Sequence, residues 1–148
     1  MPSTMKNFAI DYDKNSYIDL KNNNDAYASA ANYLNKIGWN NEEPCFYKIN
    51  LSNEVPKKYL NVSAKKLHDK KKLEYLRKYI TNDDILDKRF NNLTAALITP
   101  DKDIIPEAEN LSPAYVVFNN YEIILKWNRS LRFSLAVCTL KDKFKNEL

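Results

Sequence analysis

The 148-residue sequence has one glycine, one histidine and two cysteines, and the scarcity of the last two residue types argues against a zinc site. His68 stands in a lysine-rich stretch with no second histidine or cysteine beside it, so a zinc site there is not expected. Cys45 and Cys138 form no CxxC or Cys/His spacing. Because free cysteine usually behaves as a small buried hydrophobe, we expect that role of both rather than metal ligation or a disulfide.

Long apolar runs are also missing from the sequence. No stretch approaches the roughly 20 consecutive apolar residues of a membrane-spanning helix. The start of the chain, MPSTMKNFAIDYDKN, has no basic segment followed by an apolar one and does not resemble a signal peptide. The chain is therefore expected to be cytoplasmic if expressed as it stands, or else to be part of a longer protein.

Basic charge is concentrated in one stretch of a chain whose net charge is +4. Lysines crowd residues 57–78, where acidic residues such as Asp69 and Glu74 interrupt them. A patch for nucleic acid or another polyanion is one interpretation, and a solvated face is the other. No nucleic-acid motif frames the run, so nucleic acid is not an expected partner.

Hydrophobic periodicity predicts helices near both ends of the chain. The first spans residues 25–37, with Asn24 as its N-cap and Gly38 at its end. Its apolar residues recur on one helical face, namely Ala26, Ala30, Tyr33, Leu34 and Ile37. A shorter apolar segment at 123–127 precedes the last helix. The buried stripe predicted for that helix consists of Phe133, Ala136, Val137 and Leu140.

Strands are predicted between these helices. Residues 45–51 alternate between apolar and polar side chains, and the runs 93–98 and 114–118 are short and apolar. Ser63 is expected to cap one further helix, with a break near Asp69. The apolar positions of that helix are Leu67, Leu73, Leu76 and Ile80. Because helices and strands are segregated along the chain, the predicted fold class is α+β.

The pattern of a calcium loop occurs near the start, where alternate positions carry Asp11, Asp13 and Asn15. In EF-hand loops position 7 contributes a backbone carbonyl, here that of Tyr17, and position 12 a glutamate, where this sequence has Asn22. Ser16 stands where glycine makes the turn, and Asp25 is placed to close the loop from three residues further on. An acidic turn that caps a helix is the alternative, and the spacing leaves both interpretations open.

Three segments together resemble the murein transglycosylase B family: MPSTMKNFAIDYDKNSYIDL at 1–20, DAYASAANYLNKIGW at 25–39 and NNYEIILKWNRSLRFSLAV at 119–137. The resemblance covers essentially the whole chain, with residues 55–112 matching only in outline. It implies part of a lysozyme-like helical core at 1–40 and 119–148, with a small β-rich inserted lobe at 41–118. It also implies that the chain is the carboxy-terminal portion of a periplasmic peptidoglycan lytic transglycosylase.

Enzymes of this family cleave the bond between N-acetylmuramic acid and N-acetylglucosamine and leave a 1,6-anhydro end. One glutamic acid with a raised pKa protonates the glycosidic oxygen. In the family it belongs to a Glu-Ser-x-x-Gly motif upstream of the segment matched by residue 1. The resemblance therefore implies a chain that lacks this acid and is inactive alone, with a separate amino-terminal fragment as a partner, and no catalytic residue is assigned. A non-catalytic peptidoglycan-binding module or a decayed gene product is the alternative.

The resemblance also assigns residues to two sites. With Ca²⁺ as the implied cofactor, the calcium ligands are Asp11, Asp13, Asn15, Tyr17 and Asp25. With peptidoglycan glycan strands as the implied ligand, the residues of the sugar-binding cleft are Tyr33, Trp127, Asn128 and Phe133. Trp127 and Phe133 replace family tyrosines, which keeps an aromatic face but loses the hydroxyl hydrogen bonds. Without the resemblance, Tyr33 and Phe133 are interpreted as ordinary core residues.

Loss of an upstream segment would leave apolar surface uncovered on the helices predicted at 25–37 and 131–145. Exposed apolar patches promote association. The sequence therefore predicts self-association or poor solubility.

Overall fold

The computed structural model describes residues 6–100 and 111–147, and the chain divides into two compact units. Unit 1 comprises residues 1–40 and unit 2 residues 41–148. Helices and a sheet are both present, which confirms the predicted α+β class. The grouping of residues 1–40 with 119–148 as parts of one helical core stays a prediction.

Unit 1 contains one long helix, α1, at Asn23–Lys36. The predicted helix is confirmed but begins earlier, because the Asn22 side chain accepts the N–H of Asn24 (2.9 Å) and is the N-cap instead of Asn24. At the other end Gly38 adopts a φ of 102°, and its N–H donates to the Asn35 carbonyl (3.1 Å). This is the left-handed position that favours glycine after a helix.

A five-stranded sheet forms the centre of unit 2. Its strands are β1 (Phe46–Ile49), β2 (Leu60–Asn61), β3 (Lys71–Lys72), β4 (Thr94–Ile98) and β5 (Ala114–Val117). The order is β1-β5-β4-β2, and β3 pairs with β4. β5 pairs antiparallel with β1 and β4, and β2 runs parallel to β4 with Leu60 opposite Leu97. The three predicted strands are confirmed, and β2 and β3 are additional.

The core of unit 2 is apolar and lies against this sheet. Its buried members include Ile49, Leu73, Leu76, Leu97 and Val116. Leucine and isoleucine side chains contribute roughly 1.5–3 kcal/mol each when fully buried, so this cluster is the main source of stability in unit 2.

The helix predicted to start at Ser63 is wrong. The Ser63 hydroxyl accepts the N–H of Lys65 (3.3 Å) in a local turn. Helical structure in this stretch is confined to α2 (Leu73–Leu76) and a 3₁₀ turn at Arg77–Tyr79. Asp69, at a φ of 50°, is in the left-handed region that a helix cannot include, so the chain turns there as the sequence suggested.

Two helices, α3 (Asn119–Trp127) and α4 (Leu131–Glu147), complete unit 2. Tyr121 is fully buried and its hydroxyl donates to the Leu131 carbonyl (2.8 Å), which fixes the corner between them. Within the part of the chain that the structure describes, no helix is both long and apolar enough to cross a membrane.

The buried stripe predicted for α4 is wrong. Phe133 and Leu140 are 39% and 53% exposed, whereas Ser134 and Cys138 are buried. Ser134 can be buried because its hydroxyl donates to the Ser130 carbonyl (3.1 Å). Apolar side chains of α4 thus face solvent. Their cover by another segment and the self-association of the chain both stay predictions.

Cys45 and Cys138 form a disulfide with Cα atoms 6.0 Å apart, so the expectation of two unpaired cysteines is wrong. Both are buried as expected. Their separation of 93 residues carries no local signal, because only the packing of α4 beside the start of β1 brings them together. Closing a loop of that length stabilises the folded state by about 4.5 kcal/mol in the chain-entropy model.

Candidate functional site

Three carboxylates converge in unit 1. Asp11, Asp13 and Asp25 each place one oxygen within 4.8 Å of the others. Asp11 and Asp13 precede α1, and Asp25 lies in its first turn. Asp25 is fully buried and is the one buried residue described in unit 1. Since burying a charge without partners is costly, the partners of this carboxylate decide its state.

Backbone N–H groups satisfy both oxygens of Asp25. The N–H of Tyr12 donates to Oδ1 and the N–H of Asp19 to Oδ2, each at 2.9 Å. These hydrogen bonds, that from Asp19 foremost, hold the pKa of Asp25 below its ordinary value. Asp25 is therefore ionised at neutral pH and fixes a negative charge at the start of α1.

Other side chains of the loop accept hydrogen bonds from the backbone of the same loop. The Asp11 carboxylate accepts the N–H of Asn15 (3.1 Å) and of Ser16 (2.8 Å), and Asn15 Oδ1 accepts the N–H of Tyr17 (2.8 Å). Lys14 and Ser16 have φ of 59° and 68°. Ser16 thus adopts the left-handed conformation for which calcium loops use glycine. The structure brings together three of the predicted ligands as carboxylates and places Asn15 and Tyr17 in the same loop.

Three residues predicted to contact sugar lie at the α3–α4 corner, defined here as residues 127–133. Trp127 ends α3 and is 52% exposed. Asn128 is exposed, and its N–H donates to the Ile124 carbonyl (3.0 Å). The N–H of Phe133 donates to the Ser130 hydroxyl (3.2 Å), which caps α4. Phe133 is open to solvent, so its interpretation as an ordinary core residue is wrong.

The fourth predicted contact, Tyr33, belongs to unit 1. It lies half-buried on α1, and its ring meets that of Phe8 edge to face with centroids 5.0 Å apart. The Asn32 side chain donates to the Phe8 carbonyl (2.9 Å) beside it. Tyr33 therefore has a packing role inside unit 1, and its contact with sugar stays a prediction.

A groove of about 380 Å³ opens in unit 2 between residues 64–67 and the second half of α3. Four cationic side chains surround it, namely Lys65, Lys66, Lys126 and Arg129. Its floor is formed by Leu67 and Leu125, which are buried. We call it the cationic groove. The sequence showed the basic run at 57–78 but gave no sign that Lys126 and Arg129 join it, because the two segments meet only in the fold.

A second groove of about 260 Å³ adjoins the first, and Leu67 and Glu122 line both. Lys70 lines the second groove and donates to Glu122 at 2.9 and 3.3 Å. Lys70 thereby neutralises the carboxylate that lines both grooves.

Nothing in the sequence pattern predicted a cluster of three tyrosines on unit 2. The ring centroids of Tyr59, Tyr75 and Tyr79 lie 5.8–6.3 Å apart, and the Tyr59 and Tyr75 hydroxyls are 3.3 Å apart. The Lys78 ammonium lies 4.0 Å from the Tyr75 ring centroid. The hydrogen bond from Tyr59, then that from Lys78, lowers the pKa of Tyr75 to about 8. The same hydroxyl contact raises the pKa of Tyr59 to about 12.

Residues 1–142 match the family model described as the transglycosylase SLT domain. SltB3 from Pseudomonas aeruginosa in complex with NAG-NAM-pentapeptide is 27% identical, with a TM-score of 0.78 over 98% of this chain and 37% of that chain. SltB3 in complex with NAG-anhNAM-pentapeptide is 27% identical, with a TM-score of 0.77 over 97% of this chain and 36% of that chain. The Escherichia coli lytic transglycosylase Slt35 in complex with calcium is 22% identical, with a TM-score of 0.65 over 95% of this chain and 40% of that chain. No curated protein sequence matches the chain. The chain spans less than half the length of these solved structures.

Proposed function

Because the chain belongs to the transglycosylase SLT domain family, we propose that it binds peptidoglycan glycan strands and does not cleave them by itself. The observation that carries the proposal is the α3–α4 corner, where an indole, an amide and a phenyl ring are presented to solvent. Aromatic faces pack against the apolar faces of sugar rings, and an amide both donates to and accepts from sugar hydroxyls. Trp127, Asn128 and Phe133 supply these groups, and Tyr33 is proposed to add a hydroxyl.

The glutamates whose side chains the structure describes do not suit the acid step. A lytic transglycosylase needs a buried carboxylic acid that keeps its proton near neutral pH. No glutamate whose side chain the structure describes is buried; they are Glu42, Glu43, Glu54, Glu74 and Glu122. Glu107 and Glu109, and the side chain of Glu147, lie outside the described residues. We therefore propose that cleavage requires an acid from a separate, amino-terminal polypeptide segment.

We further propose that the loop of unit 1 binds Ca²⁺. The ligands are the side chains of Asp11, Asp13, Asn15 and Asp25 and the carbonyl of Tyr17. The donor set is all oxygen with three carboxylates, which suits a hard divalent cation. The structure of Slt35 in complex with calcium supports the choice of metal. A bound cation would offset the repulsion between the three carboxylates and join the loop to α1.

An oxidising compartment such as the periplasm is the proposed location. Disulfides persist in such compartments and are rare in the cytoplasm. The pair Cys45–Cys138 therefore favours the periplasm, where peptidoglycan also lies, over the cytoplasm.

Co-sedimentation with purified insoluble murein tests the binding function. We expect the wild-type chain in the pellet, and less of it for Trp127→Ala and Asn128→Ala. Tyr27→Ala is the matched control, since Tyr27 is 71% exposed on α1 and has no proposed contact with sugar. A wild-type chain that stays in the supernatant would remove the proposal. If it also unfolds without cooperativity, the chain is better described as a decayed gene product.

A further inference from the structure

We propose that the cationic groove binds the carboxylates of the peptide that a peptidoglycan strand carries. The inference rests on the proposed binding of murein and adds which part of the polymer this face recognises. It follows from the charge, the shape and the lining of the groove.

The charge of the groove is positive and locally unbalanced. Within residues 6–100 and 111–147, the cations of Lys65, Lys66, Lys126 and Arg129 have no ion-pair partner. Among the described residues that line the groove, Glu122 has the one carboxylate, and Lys70 neutralises it at 2.9 Å. A concave wall of one charge sign concentrates the local field and raises the local concentration of anions. The groove is thus suited to an anionic ligand.

The shape of the groove suits the end of a short peptide. Its volume of about 380 Å³ falls within the roughly 300–1,000 Å³ of small-ligand sites. The floor of Leu67 and Leu125, 2% and 5% exposed, offers an apolar surface below the cations. The guanidinium of Arg129 can bind a carboxylate through two parallel hydrogen bonds, and each lysine adds a point charge.

The lining argues against sugar rings and nucleic acid as occupants. No aromatic side chain lines the groove in the described part of the chain, so it offers no face for packing a sugar or stacking a base. Aromatic faces are instead found at the α3–α4 corner. Lys126 and Arg129 immediately flank Trp127 and Asn128 in the sequence, so a strand that lies on the corner carries its peptide to the adjoining groove. The terminal carboxylate of that peptide is ionised at neutral pH.

Titration calorimetry with two soluble ligands tests the inference. NAG-NAM-pentapeptide is compared with the same disaccharide without its peptide, at low and at high salt. We expect the peptide-bearing ligand to bind about tenfold more tightly at low salt, and this advantage to shrink at high salt because the contacts are exposed.

Variants then locate the effect. Lys126→Glu with Arg129→Glu should abolish the advantage of the peptide-bearing ligand. The matched control, Lys48→Glu with Lys88→Glu, makes the same change of net charge at exposed positions outside the groove and should retain it. Circular dichroism checks the fold of both variants, and the comparison of ligands on the wild-type chain needs no variant.

Each outcome decides a different point. Equal affinity of the wild-type chain for both ligands overturns the inference and leaves the proposed function standing. Failure of both ligands to bind overturns the proposed function and the inference with it. If the control variant loses the advantage of the peptide-bearing ligand as fully as the groove variant does, the effect is general charge attraction. That result overturns the groove as the site. An oligonucleotide that binds more tightly than the pentapeptide ligand, and loses binding in the groove variant, assigns the groove to nucleic acid instead.

Discussion

Unit 1 buries a charged carboxylate, that of Asp25, as its one buried residue among those described, whereas unit 2 buries a cluster of apolar side chains around its sheet. Unit 2 is also closed by the Cys45–Cys138 disulfide. Apolar burial and a covalent bond do not depend on ionisation or on cations. The hydrogen bonds to the Asp25 carboxylate depend on its ionisation, and the repulsion among the three carboxylates depends on whether a cation is bound. We therefore expect the two units to respond differently to reduction, chelation and acid.

The two tryptophans allow each unit to be followed separately. Trp39 lies in unit 1 and Trp127 in unit 2. Replacing one of them by phenylalanine leaves the other as a fluorescence probe.

Removal of the disulfide should have the largest effect. The double change Cys45→Ala with Cys138→Ala should lower the free energy of unfolding of unit 2 by about 4.5 kcal/mol, because the unfolded chain regains the entropy of a long loop. Urea unfolding followed by Trp127 fluorescence measures this change. The Trp39 transition serves as the control and should not move. A loss below about 1 kcal/mol would show that the disulfide contributes little to unit 2.

Calcium should act on unit 1 alone. At a Ca²⁺ concentration about 100 times its Kd, we expect unit 1 to gain about 2.7 kcal/mol, because the ion binds the folded loop. Thermal melts of both single-tryptophan chains, with calcium and with chelator, measure the difference. Asp25→Asn should abolish the response, and Asp84→Asn, at an exposed carboxylate of unit 2, should retain it. A calcium response seen equally at Trp127 would contradict the separation of the units.

Acid should weaken unit 1 through Asp25. Its pKa is lower in the folded state than in the unfolded state, so its contribution is complete above the unfolded value near 4. The contribution is lost as the pH falls through the folded pKa, because unfolding then takes up a proton. Trp39 fluorescence during a titration from neutral to acidic pH measures this. Asp25→Asn should remove this part of the pH dependence, and an unchanged profile would show that Asp25 is not its source.

Ionisation of the tyrosine cluster should have the smallest effect on the fold, since Tyr75 is 42% exposed on the surface of unit 2. Phenolate absorbance should show one tyrosine that titrates with a pKa of about 8. Tyr59→Phe should move that pKa toward its ordinary value of roughly 10, because the donated hydrogen bond is lost. Tyr27→Phe is the control and should leave the step in place. If the unfolding transition followed by Trp127 fluorescence were lost as Tyr75 ionises, the cluster would contribute to the stability of unit 2, which would contradict this prediction.

Local patterns predicted the longer elements of this fold, but not β2 or β3, and wrongly placed a helix at Ser63. Contacts between distant segments were missed. The α1 helix, the strands at residues 46–49, 94–98 and 114–117, and the carboxylates of the loop each follow from spacing within a few residues. The Cys45–Cys138 bond and the cationic groove arise only when residues far apart in sequence meet.

The inward face of α4 was missed for another reason. Periodicity assigns apolar residues to the interior, but Ser134 is buried with its hydroxyl bonded to the Ser130 carbonyl, and Cys138 is buried through its disulfide. Phe133 and Leu140 face solvent instead. An apolar stripe on a helix therefore does not by itself show that this face packs inside the unit that contains the helix.

Incubation of the chain with purified sacculi, followed by separate assay of the pellet and the soluble fraction, tests the central claim most directly. We predict that the chain sediments with the sacculi and that no 1,6-anhydro-muropeptides appear in solution. Release of such products by this chain alone would contradict it, because a general acid would then have to lie among these 148 residues.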